Sequence, residues 1–156
     1  MKTRKSWQEK FEVAVEGLPK VVEVPAKWQK QMGGRMVLVP TPKLVDVVIR
    51  KVPKGKLITA GQIRARLAAD FKADSTCPLT LGIFLRIISE YANEQRGKGE
   101  KDISPYWRVL KDDGKLNIKF PGGTASHAKL LREEGHRITG QDNKARVADF
   151  EKSLVS

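Results

Sequence analysis

Cys77 is the only thiol in the chain, and it stands directly before Pro78. That pair reads as a helix N-terminus, where the amide dipoles can lower a thiol's pKa and make a nucleophile. A partly buried capping cysteine explains the same two residues more simply. His127 and His136 are the only imidazoles. Neither has a cysteine or a second histidine at metal-ligand spacing, so surface or capping roles are expected for both. No metal and no cofactor is implied. A lone cysteine cannot form an internal disulfide, which fits a reducing cytoplasm.

The formal net charge is +12 over 156 residues, with a pI near 10.0. A basic surface suits a polyanion, because each phosphate contact releases condensed counterions. The lysines and arginines are spread without one dense block, so a merely soluble basic protein fits the charge equally well. Hydrophobic residues make 40% and charged residues 31% of the chain, the balance of a globular domain rather than a disordered one. No apolar run approaches the roughly 20 residues needed to span a bilayer. The basic start, Met1–Lys5, is not followed by an apolar signal core. The expected setting is therefore cytoplasmic, nucleoid-associated in a bacterium, with no membrane partner and a monomeric state.

The elements that must position any chemistry follow from periodicity and punctuation. Residues 1–35 read as a basic extension. Trp7, Phe11 and Val15 fall at i, i+4 and i+8, which predicts a short amphipathic helix stopped by Gly17-Leu18-Pro19. Val21–Val24 reads as extended, and Lys27–Arg35 as a polar stretch closed by Gly33-Gly34. Trp7 and Trp28 are expected to cover apolar surface, with base stacking as the less favoured role. Met36–Val39 predicts a strand. Thr41 then caps a helix with Pro42 at its first position and Leu44, Val45, Val48 and Val52 as its stripe. Pro53-Lys54-Gly55 ends it.

Thr59 caps the next helix, whose stripe is Ile63, Leu67 and Phe71. A third helix opens at Cys77-Pro78 with Leu81, Phe84, Leu85, Ile88 and Tyr91 inside, and it runs out in the polar stretch Asn93–Lys101. Asp113-Gly114 between Tyr106–Leu110 and Lys115–Phe120 predicts a hairpin. Thr124 is expected to cap a last helix anchored by Leu130 and Leu131 and ended by Gly135. His136–Thr139 and Lys144–Phe150 pair as a hairpin in the extension 136–156. Helices followed by a hairpin predict an α+β, mostly α, winged helix-turn-helix over 36–135, with Pro78–Tyr91 as recognition helix.

Three ordered blocks resemble the O6-alkylguanine-DNA alkyltransferase family. Val52-Pro53-Lys54-Gly55-Lys56-Leu57-Ile58-Thr59-Ala60-Gly61-Gln62-Ile63 is similar to V-P-x-G-x-V-x-T-Y-G-x-I. Pro105-Tyr106-Trp107-Arg108-Val109 stands in the place of Pro-Cys-His-Arg-Val. Phe120-Pro121-Gly122-Gly123, followed by Leu130-Leu131-Arg132-Glu133-Glu134-Gly135-His136, matches the aromatic-x-Gly-Gly and the closing Leu-Leu-x-x-Glu-Gly. The resemblance covers about residues 36–136. It implies a winged helix that docks on double-stranded DNA, alkylated or plain, and extrudes a damaged guanine.

The departures remove the family's chemistry. Tyr106 stands where the nucleophilic cysteine belongs, and a phenol with a pKa near ~10 is a poor nucleophile without a base. Trp107 holds the base position, and an indole accepts no proton. The chain looks like the alkyltransferase-like members that lack the cysteine and bind alkylated guanine for repair. The resemblance places Thr59, Gln62, Leu79, Thr80, Ile83, Arg86 and Arg108 against DNA, and Tyr106, Trp107, Phe120 and Glu134 around the former pocket. Ala60 aligns with the nucleotide-rotating tyrosine and Leu79 with the intercalating arginine, although an apolar wedge can also enter a base step. No catalytic residue is expected, and a repair protein is an expected second partner.

Two rival readings stand beside this one. Leu79, Ile83 and Ile87 add a second apolar stripe to the third helix, and a helix apolar nearly all round is usually covered. That favours a protein-interaction module without DNA. The other rival is an enzyme that uses Cys77.

Overall fold

The computed structural model describes residues 5–13 and 15–156. The basic opening at residues 1–4 lies outside them. The first helix, α1 (Trp7–Glu12), is fixed by a reciprocal cap. Ser6 Oγ accepts from the Glu9 amide at 3.1 Å, and Glu9 Oε1 accepts from the Ser6 amide at 3.4 Å. Phe11 packs against Tyr91, with ring centroids 5.4 Å apart. Val15 falls beyond the helix end and is exposed, so it does not extend the stripe as expected.

The segment after α1 is more ordered than its polar composition suggests. Strand β1 (Lys20–Glu23) pairs antiparallel with β2 (Met36–Val39), and Val24 is buried. Between them, Ala26–Met32 forms helix α2 and not a polar loop. It ends at Gly33, whose φ of 91° lets the chain turn back. Strand β2 also pairs in parallel with β4 (Ser75–Thr76), giving the sheet order β1-β2-β4.

Helix α3 (Pro42–Arg50) starts as predicted, with Thr41 Oγ1 accepting from the Leu44 amide at 3.3 Å. Its face of Val45, Val48 and Ile49 is buried. After strand β3 (Ile58–Thr59) comes α4 (Ala60–Asp70). Thr59 and Gln62 form a complete capping box there, with bonds of 3.0 and 3.1 Å.

Helix α5 (Pro78–Gly97) is longer than predicted. Asn93–Arg96 continue it, because Ala92 is buried and no breaking residue intervenes before Gly97. Its inward face, Leu81, Leu85, Ile88 and Ala92, joins α3 and α4 in one apolar core.

The predicted hairpin after α5 does not form. Tyr106–Arg108 is a 3-10 turn, and β5 (Val109–Leu110) pairs in parallel with β3. The Asp113-Gly114 turn is present, closed by Gly114 N–H to Lys111 O at 2.9 Å. Beyond it the chain leaves β5 to bury Leu116 beside Val147 and Phe150 in a second core cluster. The Leu116 amide donates to Ala145 O at 3.0 Å, so the strand's partner is the C-terminal segment.

Helix α6 (Gly123–Glu133) is preceded by Gly122 in the left-handed region, and Thr124 lies inside its first turn rather than capping it. The end matches expectation. Gly135, at φ +92°, donates to Arg132 O at 3.0 Å, and His136 donates to Leu131 O at 3.1 Å. Leu131 is fully buried, and Leu130 is half-buried. Strands β6 (Ile138–Thr139) and β7 (Arg146–Val147) make the terminal hairpin. The last residues return to β3, where Leu57 and Leu154 bridge in parallel. No helix among the described residues is long and apolar enough to cross a membrane.

Candidate nucleic-acid interface

The 3-10 turn carries Tyr106 into the core, where it is 1% exposed. Trp107 meets its ring edge-on at 5.4 Å and 80°, and Phe120 does so at 5.2 Å and 81°. Burial raises the phenol's pKa above its ordinary 10.0, against the pull of the Arg96 guanidinium. Arg96 lies toward the hydroxyl, yet the hydroxyl closes no hydrogen bond. A neutral, buried phenol is no nucleophile. Of the four residues expected to line a pocket, Tyr106 and Phe120 are buried edge to face in the core, whereas Trp107 and Glu134 line a hollow of about 300 Å3 with Lys54, Leu130 and Glu133.

Glu134 organises the neighbouring loops. Its carboxylate accepts from Trp107 Nε1 at 2.9 Å and from Arg108 Nε and Nη2 at 3.0 and 2.8 Å. The Gly55 amide adds a bond at 3.3 Å, and Arg108 Nη1 donates to Val52 O at 2.7 Å. Burial works to raise the Glu134 pKa, but the bonds from Arg108, Trp107 and Gly55 prevail and hold it below the usual carboxylate value. The indole therefore supplies the donor that Glu134 requires. Arg108, expected at the DNA, is engaged in this cluster, with only 14% of its side chain exposed.

His127 is neither a surface nor a capping residue. It is buried between Phe120, at 5.0 Å between rings, and the backbone. The Asn117 amide donates to Nδ1 at 3.2 Å, which leaves Nε2 to carry the proton and donate to Trp107 O at 2.8 Å. Burial lowers its pKa from 6.5 to about 4, the bond to Trp107 opposing only in part. His136 is half-buried, and burial lowers its pKa too, against the Glu134 charge. No group of metal-ligating side chains gathers among the described residues.

The outer face of α5 is the contrast. Leu79 and Ile83 are 73% and 60% exposed, and Arg86 continues the same face. Together with Trp7 and Lys10 of α1, and Lys119 from the loop before α6, they line a groove of about 750 Å3. Lys10 Nζ lies 4.3 Å from the Trp7 ring centre and the Arg86 guanidinium 5.6 Å. A second apolar hollow, shared through Pro78 and Leu79, reaches Trp28 and Met32 of α2.

Other expected contacts are hydrogen-bonded within the chain. Thr59 and Gln62 are engaged in their capping box, and Gln62 Nε2 also donates to Val155 O at 2.8 Å. Thr80 is half-exposed, and its hydroxyl donates to Cys77 Sγ at 3.1 Å. Cys77 itself is buried as the N-cap of α5, which is the capping role. The residues that sequence reasoning did not place at this surface are Lys10 and Lys119. The i, i+3 spacing of Trp7 and Lys10 was the available signal for the first.

A solved structure, S. pombe ATL in complex with DNA, is similar in fold to this chain at 16% identity, covering 74% of this chain and 94% of the other, with a TM-score of 0.54. A second, S. pombe Atl1 in complex with damaged DNA containing O6-carboxymethylguanine, aligns at 18% identity over the same shares, with a TM-score of 0.49. No family model matches the chain, and no curated protein matches it. At this identity the likeness establishes the fold.

Proposed function

We propose that this chain is a non-catalytic DNA-binding protein of the alkyltransferase-like kind. In this reading α4 and α5 act as a helix-turn-helix, with residues 36–135 as the binding unit. Helix α5 faces the groove through Leu79, Ile83 and Arg86. The observation that carries the proposal is the exposure of Leu79 and Ile83 beside Arg86 and Lys119. Large apolar side chains on an outward face call for a partner, and their cationic flanks favour a polyanion. An apolar side chain can enter and unstack a base step as a wedge. The similar S. pombe protein was crystallised with DNA.

The inactivity follows from two positions. Tyr106 offers a buried phenol, and Trp107 has no lone pair with which to take a proton. Recognition of O6-alkylguanine is the finer part of the proposal. It requires an extruded base, for which the hollow of about 300 Å3 beside Trp107 and Glu134 is one place, while the buried rings of Tyr106 and Phe120 offer it no surface.

The test is a titration of the full chain with matched duplexes, one containing O6-methylguanine, followed by intact-mass measurement. Binding without any gain in protein mass is expected. A methyl adduct would overturn the non-catalytic reading. Equal affinities would remove lesion recognition and keep duplex binding. The competing reading, a protein-interaction surface, rests on the same apolar face, and absence of binding to either duplex would favour it.

A further inference from the structure

Docking of α5 on a paired duplex engages Leu79, Ile83 and Arg86 but leaves the α1 side of the groove, Trp7 and Lys10, unused. The groove's charged lining residues, Lys10, Arg86 and Lys119, are all cations, and no carboxylate among the described residues lines it. Its apolar walls are the Trp7 indole and the side chains of Leu79 and Ile83. At Gly82 the helix surface between them is bare backbone, and a Cβ there would meet nothing. A volume of about 750 Å3 lies within the range of small-molecule sites.

A wholly apolar groove would suit a helix face, and a wholly cationic one would suit phosphate alone. An indole beside aliphatic walls, rimmed by cations, complements a nucleotide, which joins a flat base to a phosphate. A paired base stays within its stack and cannot reach such a groove. Lys10 lies over the Trp7 ring, but its contact is worth only about 0.5–1 kcal/mol at an exposed site. The flexible lysine stem can swing to a phosphate and free its place over the ring, with Arg86 remaining 5.6 Å from the ring centre.

We infer that this groove binds an unpaired nucleotide of DNA, its base against Trp7 and Ile83 and its flanking phosphates on Lys10, Arg86 and Lys119. The inference rests on the DNA-binding reading and extends it by giving α1 a direct part. It also supplies a place outside the Tyr106 core for a base that leaves the stack.

Fluorescence anisotropy of the full chain with a paired duplex and with the same duplex carrying one unpaired, bulged nucleotide tests it. The bulged duplex is expected to bind about tenfold more tightly, the size of one base–aromatic stack. Trp7→Ala and Ile83→Ser should each abolish that preference, and Trp7→Phe should retain most of it. Ile83 is 60% exposed, so its variant keeps the test sound if Trp7→Ala disturbs α1. Equal affinity for the two duplexes would overturn the inference and leave duplex binding standing. No affinity for either would overturn both. If polyglutamate at matched charge competes as well as the bulged DNA, the groove belongs to an acidic protein partner and the inference fails.

Discussion

The Trp107 indole donates to Glu134 Oε2 at 2.9 Å, so a non-basic ring fills the donor role that a glutamate at this position demands. The same carboxylate holds Arg108 in a two-pronged pair, with side-chain exposures of 14% for Arg108 and 6% for Glu134. The segment that resembles a reactive loop has become a structural joint between α6, the 3-10 turn and the Val52–Gly55 bend. Removing one partner of a buried ion pair strands the other charge. Glu134→Gln should therefore lower unfolding stability by about 3 kcal/mol. Trp107→Phe, which deletes only the indole donor, should cost about 1.5 kcal/mol beyond the change in packing. Urea midpoints of both variants check this, and a Glu134→Gln midpoint equal to that of the parent would contradict it.

Buried His127 predicts a pH dependence. Its folded pKa, about 4, lies below its unfolded value of 6.5. Between those values the unfolded chain takes up a proton that the folded chain refuses. Stability is thus full above pH 6.5 and declines as pH falls toward 4, by about 3 kcal/mol at most. Glu134, also depressed in the fold, adds a further loss below the ordinary carboxylate range. His127→Gln should flatten the limb between pH 6.5 and 4 while leaving the more acidic one. Urea melts across pH read both limbs, and an unchanged upper limb in the variant would count against the assignment.

Gly114 is a steric requirement of the turn. It is buried with φ +86°, and a Cβ would collide with the Phe150 ring. Gly114→Ala should cost about 2 kcal/mol or more and loosen the C-terminal segment. Hydrogen exchange of the Val147 amide, which donates to Gly114 O at 3.0 Å, should quicken in step. Unchanged protection at Val147 would show that the turn adapts.

Much of this fold is legible in the sequence because its signals are local. Thr41-Pro42, Thr59, Cys77-Pro78 and Gly135 each mark a helix end by their own chemistry. The Asp113-Gly114 turn is equally local, but the partner of the strand after it is not. Leu116 is drawn to Val147 and Phe150, about thirty residues on in the sequence, and only tertiary burial determines that choice. Helix α2 was hidden for a similar reason. Its polar residues carry no stripe, and it is held by strand neighbours and a glycine stop. At the candidate site, the second stripe through Leu79 and Ile83 was legible from helical spacing, and Arg86 from the resemblance. The inward fates of Arg108 and Tyr106 were not, because each depends on partners brought from elsewhere in the chain.

Cys77 should remain unmodified by alkylated DNA. It is buried at the start of α5 and accepts the Thr80 hydroxyl at 3.1 Å. After incubation with O6-methylguanine duplex, peptide mapping should find Cys77 as a free thiol. A methylated Cys77 peptide would revive the enzymatic reading.

The outward face of α5 carries the functional proposal, and the most direct test is duplex affinity measured by anisotropy across a range of salt, for the parent and for Ile83→Glu. The parent should bind with a log–log salt slope of several units, because phosphate contacts release counterions. Ile83→Glu should bind at least about tenfold more weakly, since it sets a charge against phosphates where an apolar contact was made. Its stability should stay within about 0.5 kcal/mol of the parent's, as expected of a surface change. A parent that binds no duplex at low salt, or an Ile83→Glu variant that binds as tightly as the parent, would contradict DNA recognition through this helix.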